Sequence, residues 1–64
     1  MKYTFDQKIA CISREIQMRE RVYSEQVRAG RMTPEKSASE IGIMTEILSE
    51  LKERKDAAEG PPLL

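Results

Sequence analysis

The sequence predicts an all-α fold, an antiparallel two-helix hairpin that pairs with a second copy to build a four-helix bundle. Three observations carry that expectation. Apolar residues recur at spacings of three and four over two long stretches, with no strand-like alternation anywhere. A helix stop signal and a helix start signal sit almost back to back between them. The apolar surface on both helices exceeds what one seam between them can cover. The hairpin is expected to occupy residues 1–58, with a flexible tail over 59–64.

Helix 1 is expected over residues 5–29. Thr4 and Gln7 have the spacing of a capping box, in which each side chain serves the other's backbone N–H. Asp6 adds a carboxylate at the positive end of the helix dipole. No Pro or Gly interrupts Phe5 to Ala29, a length of about 37 Å at 1.5 Å per residue. On a wheel of about 100° per residue, Phe5, Ile9, Ile12, Ile16, Tyr23 and Val27 form one stripe, broken at Arg19. Cys11, Met18, Val22 and Ala29 form a second, thinner stripe away from it. Two stripes call for two neighbours.

The turn covers residues 30–33. Gly30 is the natural left-handed residue after a helix end, because it lacks a Cβ and reaches positive φ without strain. Thr33 offers an oxygen to the free amides of a new first turn. Pro34 at the first helical position has no N–H to orphan, and Glu35 follows with a favourable charge. So short a connection sets the helices side by side. Met32, just before the cap, is expected to fold back as an apolar clasp.

Helix 2 is expected over residues 34–58. Ala38, Ile41, Ile43, Met44, Ile47, Leu48 and Leu51 sweep more than half the wheel, too wide an arc for one neighbour. Gly42 costs about 1 kcal/mol relative to Ala within a helix. It therefore points to close approach of another backbone, with Ala38 completing a small-residue patch. Lys52 to Asp56 are all charged, and Gly60-Pro61-Pro62 ends any helix.

A chain of 64 residues buries a thin core. One cysteine and no histidine leave neither an internal disulfide nor a zinc site, so self-association is the remaining support. Eleven basic and eleven acidic residues give no net field toward nucleic acid or a membrane. The halves differ, however. Residues 1–32 hold seven bases and four acids, and residues 33–64 hold four and seven. Antiparallel pairing of the two helices is expected to absorb that asymmetry. No signal-peptide core or membrane-length apolar run is present, which predicts a cytoplasmic protein with a reduced thiol.

No constellation carries enzymatic chemistry. Nucleophilic catalysis needs a base beside the nucleophile, and histidine is absent. Lys8 and Arg14 lie near Cys11, yet nothing offers an oxyanion hole, so Cys11 reads as a buried small hydrophobe. Glu46, Glu50 and Glu53 follow the spacing of a solvated helix face. Two helices are also expected to offer no concave pocket of several hundred Å³. The prediction is no enzyme, no cofactor and no metal.

Binding is the more informative direction. Arg14, Arg21 and Arg28 are spaced by seven and line one edge of helix 1 beside Met18 and Val22, with Arg31 just beyond. These six residues are the candidate partner-binding set. Cys11, Met18, Val22, Ile43 and Ile47 are the candidate dimer interface. The arginine edge could grip phosphates, but Tyr3, Phe5 and Tyr23 are the sole aromatics and none interleaves with it. Protein binding is therefore expected first, and nucleic-acid binding through the arginine edge second.

Arg21-Val22-Tyr23, Val27, Gly30-Arg31-Met32-Thr33, Glu35-Lys36, Glu40-Ile41 and Ile43-Met44 together resemble a family of short bacteriophage and prophage proteins. The resemblance covers residues 18–51, with Ser24 where many relatives carry Pro. It implies a phage origin and a small helical protein, and it brings no activity or site with it. Phage genomes encode many short proteins that bind host proteins, so a modulator or inhibitor of a host protein is the expectation that follows.

Overall fold

The computed structural model describes residues 2–60 and contains two helices, α1 (Phe5–Arg28) and α2 (Pro34–Glu59). They pack antiparallel as a hairpin about 49 Å long. Each boundary lies within one residue of expectation. Ala29 is the C-cap of α1 rather than its last helical residue, and α2 extends through Glu59. Of the expected tail over 59–64, Glu59 is still helical and Gly60 is the C-cap, and residues 61–64 lie outside the described residues.

The capping chemistry explains the boundaries. The Gln7 amide donates to Thr4 Oγ1 at 3.0 Å, and the Thr4 amide donates to Gln7 Oε1 at 2.9 Å, so the reciprocal box is complete. At the other end of α1, the Arg31 amide donates to the Gln26 carbonyl at 2.8 Å and the Gly30 amide to Val27 at 3.1 Å. That pair of bonds is a Schellman motif, and it requires the φ of +77° that Gly30 adopts. Three residues later, Thr33 Oγ1 accepts from the Lys36 amide at 3.0 Å and Pro34 opens α2. Met32 is half-buried over this turn.

The seam follows the first stripe. Phe5, Ile9, Ile12, Ile16, Tyr23 and Val27 of α1 are half-buried, as are Ile41, Met44, Leu48 and Leu51 of α2. Arg19, which breaks the apolar stripe, occupies its seam position half-buried. Its guanidinium donates to the Glu15 carboxylate one turn back, and that bond raises its pKa. Snorkelling of this kind lets the stem pack while the charge stays satisfied. Among the described residues none is fully buried. The hairpin has a seam but no core.

Two expectations about packing are not met in full within the single chain. A Cβ built on Gly42 would meet nothing within 4 Å, so no other backbone of this chain approaches it. Gly42 and Ala38 are both exposed. The hairpin absorbs only part of the charge asymmetry, through Arg19 of α1, which helps to lower the pKa of Glu40 across the seam. Among the described residues, the ion pair that bridges the helices is Lys55 to Asp6 at 2.6 Å, an acid from the basic half with a base from the acidic half. Glu15–Arg19, Glu25–Arg28, Lys36–Glu40 and Lys55–Glu59 all lie within one helix. Helical neighbours three or four residues apart satisfy each other locally, before a second helix is in reach.

Candidate interaction surface

Relative to the seam, the second stripe lies on one definite side. In α1, Cys11, Met18 and Val22 stand about 100–140° from the seam in the direction of decreasing wheel angle. In α2, Ile43 and Ile47 stand about 70–110° from it in the same sense. Because the helices run in opposite directions, the same sense on both wheels brings both sets to one face of the hairpin. The groove linings agree. Gln7, Lys8 and Cys11 of α1 share a groove with Leu51 of α2, whereas Val27 and Arg28 share another with Ser37 and Ala38 on the reverse side.

On this face Met18 is 46% exposed, Val22 41%, Ile43 53% and Ile47 41%. Antiparallel register, anchored by Lys55 and Asp6, sets Met18 level with Ile43 and one turn from Ile47. The four side chains make one apolar patch near the middle of the hairpin. Every residue of the expected dimer interface is thus exposed in the single chain. Cys11 is among them, its thiol exposed in the single chain.

The patch continues toward the open end of the hairpin. Tyr3, Gln7, Lys8, Cys11, Ile12 and Leu51 line an open groove of about 440 Å³. The expectation that two helices offer no such concavity is therefore corrected. Tyr3, 55% exposed, is the residue that sequence reasoning left out of the surface, because it precedes the capping box and belongs to no helical period. The Lys2 ammonium lies 5.6 Å from its ring centroid.

The arginine edge is only partly committed. Arg28 bonds the Glu25 carboxylate beside it. Arg14, Arg21 and Arg31 are exposed and form no ion pair with any described residue. The same holds for Glu46, Glu50 and Glu53 along the outer edge of α2. The structure does not bring the arginines together into a cleft; they stand in a row on one convex helix surface. Gly30, Thr33 and Pro34 sit at the turn with the structural roles expected of them.

Among the described residues, no group of carboxylates and thiol has metal-binding geometry, and no helix is long and apolar enough to cross a membrane. No family model, no curated protein and no solved structure matches this chain.

Proposed function

We propose that this chain is a non-enzymatic helical protein–protein interaction module whose working surface is the Met18, Val22, Ile43 and Ile47 face. The supporting observation is the pairing of that exposed apolar face with the absence of any fully buried residue among those described. Burying a large aliphatic side chain contributes about 1.5–3 kcal/mol. Four of them therefore represent free energy comparable with the whole stability of so small a domain. A hairpin that leaves this unused is incomplete without another chain.

In this reading the first partner is a second copy, giving a homodimeric four-helix bundle. The phage resemblance extends the proposal to a phage-encoded modulator or inhibitor of a host protein, acting in the reducing cytoplasm where Cys11 stays a thiol. Thermal melts followed by circular dichroism over a hundredfold range of protein concentration test the association. Coupled folding and assembly make the melting temperature rise with concentration. A melting temperature independent of concentration contradicts self-association. Nucleic-acid binding through Arg14, Arg21 and Arg28 makes a different prediction, a steep fall of affinity with salt in a fluorescence anisotropy titration.

A further inference from the structure

We infer that the two copies stack with both turns at the same end of the bundle, in a register selected by the charged rows that flank the apolar face; this rests on the interaction-module reading. Two kinds of two-fold axis set the face against itself. An axis parallel to the helices lays α1 of one copy on α2 of the other and puts both turns together. An axis across the helices lays α1 on α1 and α2 on α2, with the turns at opposite ends. Both bury Met18, Val22, Ile43 and Ile47. Apolar contact alone does not choose.

Charge does. Arg14 and Arg21 run along the outer edge of α1, beside Met18, and Glu46, Glu50 and Glu53 along the outer edge of α2, beside Ile43 and Ile47. None of these five forms an ion pair with any described residue. With the turns together, Arg14 stands level with the second copy's Glu46, and Glu25 with its Lys36. Met18 meets the second copy's Ile43. With the turns apart and Met18 and Ile43 each level with its own copy, Arg14 stands one residue from the level of the second copy's Arg21. Glu46 then lies level with the second copy's Glu40, while Lys36 comes level with its Glu50. Like charges then face each other along the α1 edge and at Glu40 and Glu46 of the α2 edge, across helices about 8–10 Å apart, a spacing comparable with the ~8–10 Å screening length. Single exposed pairs contribute little, but with the turns together attractive pairs lie along both edges and are doubled by the two-fold. The asymmetry between the halves of the sequence, only partly absorbed by the hairpin, becomes complementary here.

The test uses the full chain with Cys11→Ser and a spin label on Arg31→Cys at the exposed turn. Neighbouring helices lie about 8–10 Å apart, so turns at the same end place the labels within about 20 Å of each other. Turns at opposite ends separate them by about 40 Å, a helix length. A charge series in the unlabelled chain reads the same arrangement independently. Arg14→Glu and Glu46→Arg should each weaken the dimer about three- to tenfold, and the double variant should recover most of the loss. A dimer with the long distance, or one that Arg14→Glu tightens, overturns the arrangement and leaves the interaction-module reading intact. A chain that stays monomeric and helical at ~100 µM overturns the second copy as occupant.

Discussion

Lys55, one turn from the end of α2, holds its ammonium 2.6 Å from the carboxylate of Asp6 in the first turn of α1. That contact closes the open end of a hairpin whose other end is closed by covalent chain. Asp6 raises the Lys55 pKa, with Glu59 adding to the effect. A folded-state pKa above the unfolded one gives stability that is complete below the unfolded value of about 10.4 and disappears as pH rises through the folded one. Asp6→Asn should therefore lower the melting temperature at pH 7. The difference from wild type should shrink as pH rises above about 10.4. A constant difference across that range contradicts the role given to Lys55.

Acid acts through Glu40, whose carboxyl is held below its ordinary range by the Lys36 ammonium 2.8 Å away. The sign is opposite. Its contribution is complete above about pH 4.3 and is lost as pH falls through the folded value. Lys36→Met should flatten the acid limb of the melting curve below pH 5; an unchanged limb rules the pair out as its source.

Two glycine substitutions should move stability in opposite directions. Gly30 has open space where a Cβ would go, so the cost of Gly30→Ala is purely that of φ +77°, about 1–2 kcal/mol. Gly42 is helical, and its Cβ position is also empty. Gly42→Ala should stabilise by about 1 kcal/mol. Because Gly42 lies on the reverse of the apolar face, that gain should persist in the dimer. Chemical denaturation of both variants decides, and a destabilised Gly42→Ala would place a neighbour where none is drawn here.

The turn and caps were legible because their chemistry is local. Gly30, Thr33-Pro34 and Thr4 with Gln7 each complete a hydrogen-bonding pattern within five residues. The seam was legible because 3.6 residues per turn project a linear pattern onto one face. What stayed hidden depends on how the helices sit against each other. The groove beside Tyr3 arises where the chain before α1 folds over Cys11 and Leu51, and no periodicity encodes that. Gly42 pointed to a close neighbour, but its cost is borne in the open. The charge imbalance was visible; that i, i+4 pairs would leave part of it unspent within one chain was not.

Cys11 is a chemical reporter for the apolar face. In the lone hairpin its thiol is exposed. Association through this face should slow its reaction with a disulfide reagent as concentration rises from ~1 µM to ~100 µM, since burial limits access to the thiolate. Cys11→Ala should keep the binding activity and lose a little stability. A rate independent of concentration would place the thiol outside the interface.

The most direct measurement is the mass of the native chain by sedimentation equilibrium at ~100 µM, with circular dichroism on the same sample. The chain mass is 7.4 kDa. Covering Met18, Val22, Ile43 and Ile47 with a second copy gives twice that mass and full helicity. Ile47→Glu, which sets a carboxylate in the covered face, should give the single-chain mass with most of the helicity lost. A wild-type mass of one chain with full helicity would contradict the claim that the hairpin needs another copy to complete its fold.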